Sequence, residues 1–229
     1  MQISGLQKLT LLDYPGTVAC TVFTQGCNLR CPFCHNAPLV TGTPTGQVGE
    51  DELISFLSKR RGVLEGVAIT GGEPTLYTDL PQLIERIKML GYKVKLDTNG
   101  TNPAMLKKLI VTGLIDRVAM DIKNAPEDYP STVGVASDMG KITESKELLL
   151  SGVIDYEFRT TVVKGIHTKE SLVRAAEWIA GAKEYYLQQY KNSGNIISPE
   201  GLSEYNKEEM LDLLGAVIKY VPRAQLRGI

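Results

Sequence analysis

Residues 17–36 read TVACTVFTQGCNLRCPFCHN, an apolar, β-branched run that leads directly into a loop with three cysteines. The run covers Thr17 to Thr24, and the cysteines are Cys27, Cys31 and Cys34. In parallel α/β folds, the loops at the carboxyl ends of the strands carry the active site. The stretch therefore predicts a first strand of a parallel sheet with a reactive loop at its carboxyl end.

The rest of the chain repeats this order of strand and then helix. Five more apolar runs predict strands at Gly66 to Thr70, Tyr92 to Asp97, Arg117 to Asp121, Ile154 to Val163 and Glu184 to Gln188. Helical spacing follows them or lies between them, around Ile54 to Leu57 and at Leu80 to Leu90, Ala104 to Val111, Ile142 to Leu150, Lys169 to Ala180 and Lys207 to Tyr220. Such alternation favours βαβ units, with a parallel sheet and outer helices.

The chain length limits the number of these units. Eight units of about 30 residues each would need roughly 240 residues before loops are counted, whereas six fit comfortably. We therefore expect one α/β domain over residues 1–229, with loop-like stretches at 38–49 and 192–204.

The composition excludes several classes of protein. With 43% hydrophobic and 22% charged residues, the chain can bury a substantial core and is unlike a disordered protein. Its 25 Lys and Arg against 26 Asp and Glu give a formal net charge of -1, so no overall basic field attracts nucleic acid or anionic lipid. No stretch approaches the roughly 18 apolar residues of a membrane span. We expect a cytoplasmic protein with neither nucleic acid nor membrane as a partner.

Three thiolates on one short loop suit an iron–sulfur cluster or a zinc ion. A closed zinc site needs four ligands, and only His35 and the distant Cys20 and His167 remain to complete one. A four-iron cluster held by three cysteines leaves one iron open to a substrate or cofactor. Cys20 lies on the same side of the first strand as Val18 and Val22, and we expect it to be a buried apolar residue. His167 is expected to be a loop residue.

The spacing Cys27-x3-Cys31-x-Phe33-Cys34 resembles the signature of the radical S-adenosylmethionine (SAM) superfamily. The resemblance implies a partial (β/α)6 barrel of the radical SAM type. It also implies that the cysteines bind a [4Fe–4S] cluster, next to Phe33, and that SAM chelates the fourth iron through its amino and carboxylate groups. One electron then cleaves SAM to methionine and a 5′-deoxyadenosyl radical.

The second predicted strand ends in Gly71-Gly72-Glu73, an ordinary turn when taken alone. Two glycines there would let the backbone approach a ligand closely, and Glu73 adds a carboxylate acceptor. After the cysteine loop, this turn resembles the Gly-Gly-Glu element by which the family holds the amino group of SAM.

Polar side chains also end the third and fourth predicted strands, at Asp97 and Asn99 and at Asp121 and Lys123, and Arg159 lies on the fifth. A solvated face, a helix cap or an exposed strand arginine would explain each one separately. Together they resemble glycyl-radical-enzyme activases, in which matching residues surround the cofactor and a bound monovalent cation. The resemblance implies that a cation separates the two aspartates from the SAM carboxylate, and that Arg159 takes part in catalysis near the cofactor.

The segment from Asp13 to Gly16, together with the cysteine loop and residues 188–190, resembles the longer form of the anaerobic ribonucleoside-triphosphate reductase activating proteins. That family installs a glycyl radical on its partner. The resemblance implies a catalytic role for Asp13, which would hold the partner's glycine loop, and flavodoxin or ferredoxin as reductant. A pyruvate formate-lyase activase, a radical SAM enzyme acting on a small molecule such as a deazapurine precursor, and an electron-transfer or metal-binding module remain alternatives.

Overall fold

The computed structural model describes residues 1–42, 47–192 and 194–229. In these residues, eight strands form one sheet whose spatial order follows the sequence. The strands are β1 (Ile3–Thr10), β2 (Ala19–Thr24), β3 (Gly66–Gly71), β4 (Lys93–Thr98), β5 (Arg117–Asp121), β6 (Asp155–Val162), β7 (Tyr185–Gln189) and β8 (Ala224–Arg227). β1 is antiparallel to β2, and β2 to β8 are parallel.

Helices follow the strands and surround the sheet. They are α1 (Ala37–Thr41), α2 (Glu50–Lys59), α3 (Leu80–Met89), α4 (Pro103–Val111), α5 (Tyr129–Val133), α6 (Met139–Leu150), α7 (Lys169–Trp178) and α8 (Lys207–Val217). The apolar stripe of α3, for example, is completely buried at Leu83, Ile84 and Ile87. Each main helix therefore covers the sheet with one apolar face. No helix within the described ranges is long and apolar enough to cross a membrane.

This partial barrel of parallel strands and outer helices confirms the predicted fold class. All six predicted strands are present, and β1 and β8 are two additional ones. The loop predicted at 38–49 overlaps the short helix α1, while its residues 43–46, like residue 193 of the second predicted loop, lie outside the described part of the chain.

The two faces of the sheet differ in chemistry. On β2, Cys20 and Val22 are completely buried on one face, against the helices. On the opposite face, which lines the barrel interior, side chains two residues apart are charged, as in Lys95 and Asp97 on β4. The barrel therefore has an apolar outer layer and a polar interior that opens at the carboxyl ends of the strands.

Candidate active site

A cavity of about 410 Å³ lies at this carboxyl end. All thirteen site residues predicted from the sequence line it: Asp13, Cys27, Cys31, Phe33, Cys34, Gly71, Gly72, Glu73, Asp97, Asn99, Asp121, Lys123 and Arg159. Several lining residues were not predicted, including Phe23, Thr161 and Gln188. These three lie on β2, β6 and β7, where period-two alternation from other interior positions could have identified them.

The cysteine loop presents its three thiols to this cavity. Cys31 is buried, and burial raises the pKa of its thiol to about 11, so iron would have to displace the proton on binding. The Cys27 sulfur accepts a hydrogen bond from the Leu29 backbone N–H at 3.4 Å and lies 3.8 Å from the Asn99 amide nitrogen. The Leu29 N–H favours the thiolate form, but burial outweighs it and raises the pKa of Cys27.

In residues 1–42, 47–192 and 194–229, no three histidine, cysteine, aspartate or glutamate side chains meet closely enough to hold a single metal ion. In a four-iron cluster each thiolate binds a different iron, so the cysteines need not converge on one point. Cys20 is completely buried away from this loop, and burial raises its pKa to about 12. Its predicted role as a small apolar residue is confirmed.

Gly71 and Gly72 pack against the backbone that leads into the cysteine loop. A β-carbon on Gly72 would lie 1.8 Å from the Gly26 carbonyl oxygen, and that oxygen accepts the Glu73 N–H at 2.8 Å. Gly71 has a φ of +116° and directly faces the Thr24 backbone. We expected the two glycines to let a ligand approach the backbone. The structure gives a second reason for glycine at these positions, because the Gly-Gly-Glu turn and the start of the cysteine loop are in backbone contact.

The Glu73 carboxylate is held by hydrogen bonds within the protein. It is 1% exposed, and four protein groups donate to it: the Thr75 N–H (3.1 Å) and hydroxyl (2.6 Å), the Thr98 hydroxyl (2.8 Å) and the Asn99 N–H (2.6 Å). Three of these donors bind Oε1, and Oε2 accepts only the Asn99 N–H, so Glu73 keeps acceptor capacity and its predicted role toward the ligand stays a prediction. In the structure, Glu73 joins the ends of β3 and β4 and so positions Asn99 beside the cysteine loop.

The charged strand ends form one connected network. Arg159 lies between two aspartates, donating to Asp97 at 3.0 Å and to Asp121 at 3.0 Å. Lys95 binds the other oxygen of Asp97 at 2.5 Å, and Lys123 binds the other oxygen of Asp121 at 2.9 Å. Three cations therefore alternate with two carboxylates along β4, β5 and β6.

This network bears on the prediction that Asp97 and Asp121 need a bound monovalent cation to offset their charge. Burial would raise the pKa of Asp121, but the charges of Arg159 and Lys123 outweigh it and lower the pKa to about 2. Asp97 is likewise paired on both oxygens. The two carboxylates were expected to need an outside cation, and the protein's own side chains already compensate them. A monovalent cation would have to compete with these partners.

A second layer of charge, which was not predicted from the sequence, lies deeper in the barrel. Glu157, which is completely buried, accepts two hydrogen bonds from Arg227 on β8, at 3.0 and 3.2 Å, and one from Arg117 on β5 at 3.1 Å. Arg227 also stacks on the Tyr186 ring at 3.7 Å. Glu157, on β6, therefore links β8 to β5 through these hydrogen bonds. The position of Glu157 two residues before Arg159 could have identified it, because residues two apart on a strand share one face.

We expect Glu157→Gln to lower the free energy of unfolding by about 3 kcal/mol, because it removes the buried counter-charge of Arg227 and one of the three carboxylates that pair with Arg117. Burial would raise the pKa of Glu157, but Arg227, Lys95 and Arg159 lower it to about 2. A depressed pKa stabilises the fold above the ordinary value of 4.5, and this contribution is lost as the pH falls towards 2.

Denaturant titrations of wild type and variant near pH 7 and again near pH 3 measure this linkage. The difference between the two proteins should shrink at the lower pH. A control, Asp51→Asn, removes a 94% exposed carboxylate from Arg86 and should change little at either pH. A difference for Glu157→Gln that did not depend on pH would contradict the assigned charge.

His167 lies in the loop between β6 and α7, as predicted, and it is buried there, at 1% exposure. Its Nδ1 accepts the Val163 N–H at 3.1 Å, which leaves the proton on Nε2 to be donated to the Lys123 carbonyl at 2.7 Å. Phe33 packs edge-on against the imidazole, with ring centroids 6.1 Å apart. Burial lowers the pKa of His167, so the neutral ring positions Lys123 and Phe33.

The fold and the three-cysteine cavity define a radical SAM domain. The family model described as "Radical SAM superfamily" matches residues 21–183, and the chain belongs to that superfamily.

Within the superfamily, the chain is 32% identical over 235 residues to a Methanocaldococcus jannaschii protein named "Putative glycyl-radical enzyme activating enzyme", covering 99% of this chain and 96% of the relative. It is 41% identical over 95 residues to the 7-carboxy-7-deazaguanine synthase of Hyperthermus butylicus, but this covers only 40% of the chain and 38% of that protein. The crystal structure of a domain of the pyruvate-formate lyase-activating enzyme from Bacteroides vulgatus has the same fold, with a TM-score of 0.59 and 16% identity over 72% of this chain and 99% of that one.

Proposed function

We propose that this chain is a glycyl-radical-enzyme activase whose partner is an anaerobic ribonucleoside-triphosphate reductase and whose reductant is flavodoxin or ferredoxin. The observation that carries the proposal is the cavity, which brings Asp13 to the same space as the three cysteines and the charged strand ends. The likeness, over 99% of the chain, to a relative named as a glycyl-radical enzyme activating enzyme supports the activase part of the proposal. A cytoplasmic location, a single domain and the absence of nucleic-acid and membrane partners remain predictions.

Cys27, Cys31 and Cys34 would hold a [4Fe–4S] cluster, and the residues around them fit one. Their thiols line one cavity, and the Asn99 amide and the Leu29 N–H are donors close to the Cys27 sulfur. When bound, the cluster and SAM supply the electron transfer and the 5′-deoxyadenosyl radical. The protein's contribution is to fix the cysteine loop through the contact between Gly26 and the Gly72-Glu73 turn.

The charged network would orient SAM. Arg159 presents a planar guanidinium at the cavity wall, and Lys123 adds a second cation close by. Both side chains suit the carboxylate of an amino acid, while the Gly71-Gly72 turn offers its backbone to the amino group. Because Asp97 and Asp121 fix Arg159 from two sides, its donors are preorganised.

Asp13 would hold the backbone of the partner segment that carries the glycine. Its Oδ2 accepts the Thr21 hydroxyl at 2.5 Å, which fixes the carboxylate at the cavity wall. Within the described residues, Oδ1 accepts no hydrogen bond and is available to peptide N–H groups.

The test of the proposed function is the glycyl radical formed on the reductase by Asp13→Ala. We expect this variant to lose most of the radical, measured by electron paramagnetic resonance, because the peptide loses a charged acceptor of its hydrogen bonds. Asp13→Asn is the matched control and should restore part of the yield, since its amide oxygen still accepts. SAM binding, measured separately, tests whether the centre itself is intact. A full radical yield with Asp13→Ala would contradict the assigned role.

The cation prediction has its own test. If a monovalent cation displaces Lys123 or Arg159 from the aspartates, SAM cleavage should depend on that cation, and Asp121→Asn should weaken the dependence by removing one hard oxygen charge. The measurement is 5′-deoxyadenosine release with potassium or with a bulky organic cation as the only salt. Equal rates of 5′-deoxyadenosine release in the two salts would mean that the protein's own cations are enough to offset the two aspartates, and the cation prediction would be wrong.

A radical SAM enzyme acting on a small molecule is the second candidate, favoured by the likeness to 7-carboxy-7-deazaguanine synthase over 40% of the chain. It predicts that small substrates of such enzymes, and no protein, increase SAM cleavage. A pyruvate formate-lyase in place of the reductase tests the third candidate with the same spectroscopic readout.

A further inference from the structure

The N-terminal hairpin has an inverted burial pattern. In the segment Leu9-Thr10-Leu11-Leu12, the three leucines are 57%, 66% and 84% exposed, whereas the threonine is 4% exposed. Fully burying one leucine side chain is worth roughly 1.5–3 kcal/mol, so this arrangement forgoes a large stabilisation. We define Leu9, Leu11 and Leu12 as the leucine patch.

Hydrogen bonds in the turn explain why the pattern is inverted. The Thr10 hydroxyl accepts the N–H groups of Leu12 and Asp13, both at 3.2 Å, and this turn brings Asp13 to the Thr21 hydroxyl at the cavity wall. Asp13 therefore faces the cavity, and the side chains of the preceding Leu11 and Leu12 are exposed to solvent. The position of Asp13 and the exposure of the leucines have the same structural origin.

The leucine patch is unusual within this molecule. Of the eleven large apolar side chains that are exposed in the described residues, three lie in these four positions. The other eight are at least seven positions apart along the chain, such as Met89 at the end of α3 and Val111 at the end of α4. Scattered exposed hydrophobics are normal, but adjacent ones mark interaction sites.

The patch also adjoins a sheet edge. β1 pairs with β2 on one side, and on its other side the described residues contribute only the single bridge from Ile3 to Val48. Gln7, Lys8 and Leu9 are exposed along this edge. An edge with unpaired backbone groups beside apolar side chains suits an extended polypeptide, which gains main-chain hydrogen bonds and side-chain contacts together.

We infer that the leucine patch is the docking surface for the segment of the protein substrate that enters the cavity past Asp13. The occupant is an extended polypeptide with apolar side chains next to its glycine. Continuity with Asp13 supports this choice, because a segment held by that carboxylate must pass the adjacent Leu12. The inference rests on the proposed function and specifies how the partner is held.

The test is the double substitution Leu11→Ser/Leu12→Ser, compared with Met89→Ser/Val111→Ser as a control that removes two equally exposed apolar side chains elsewhere. We expect the patch variant to raise the Kd for the reductase about tenfold or more, as loss of two apolar contacts at an interface does. A synthetic peptide spanning the reductase's glycine segment serves as a second probe. Cluster content and far-ultraviolet circular dichroism check that both variants are assembled.

The outcomes separate this inference from the proposed function. If wild type binds the reductase and the patch variant binds equally well, the docking inference is wrong and the activase proposal stands. If wild type neither binds nor activates the reductase, the choice of partner is wrong. If the substitutions only shift a concentration-dependent dimer, seen by light scattering, then a second copy of the chain occupies the patch and the inference is overturned.

Discussion

Cys31→Ala is expected to abolish the iron–sulfur cluster and all SAM cleavage. Cys31 is the most deeply buried of the three loop cysteines, and the fourth cysteine of the chain, Cys20, does not line the cavity and so cannot replace it. Anaerobically reconstituted wild type should carry about four irons per chain, the stoichiometry of a cubane. Iron analysis, visible absorbance and 5′-deoxyadenosine release after dithionite reduction measure the loss. Cys27→Ala and Cys34→Ala should behave in the same way.

Cys20→Ala is the matched control, because it makes the same chemical change at a completely buried position on the helix-facing side of β2. It should keep the cluster and lose only some stability, since a small cavity replaces the sulfur. If Cys20→Ala lost the cluster while Cys31→Ala kept it, the ligand set assigned here would be wrong.

Gly72→Ala is the second substitution with a large expected effect. Its β-carbon would lie 1.8 Å from the Gly26 carbonyl oxygen, a backbone atom that cannot rotate away. Either the Gly-Gly-Glu turn or the cysteine loop must move, so we expect a loss of about 3 kcal/mol in the free energy of unfolding. We also expect a loss of iron, because Gly26 directly precedes the first cysteine ligand.

Gly215→Ala in α8 is the control, because a β-carbon there meets no atom within 4 Å. It should leave stability unchanged or raise it by up to about 1 kcal/mol, since alanine favours a helix more than glycine does. Denaturant unfolding and iron content of the two variants provide the comparison. A Gly72→Ala protein with normal stability and normal iron content would contradict the close contact between the loops.

The sequence predicted the parts of the fold that depend on local periodicity. The six predicted strands are apolar runs bounded by turns, and the cysteine loop follows the first of them, so strand order and site location could both be inferred. β1 was missed because Gln7 and Lys8 interrupt its apolar pattern at an exposed edge. β8 was missed because it has four residues and ends in Arg227, whose partner Glu157 is 70 residues away.

Residue identities in the site could be predicted more fully than their contacts. Glu73 and Gly72 were selected correctly as cavity residues, but nothing local in the sequence indicates that Glu73 binds the Asn99 backbone or that Gly72 touches Gly26. The alternation of charge through Lys95, Asp97 and Arg159 depends on the register of β4, β5 and β6. Such contacts form only when distant strands are paired, so propensity and spacing do not specify them.

The most direct test of the central claim follows a hydrogen atom from the partner to the cofactor. Reduced, cluster-loaded protein is mixed anaerobically with SAM and with reductase labelled with α-deuterated glycine. The proposed function predicts a glycyl radical signal on the reductase and deuterium in the 5′-deoxyadenosine released. Cleavage of SAM with no glycyl radical and no deuterium transfer, with the reductase competent in a separate activation assay, would contradict it.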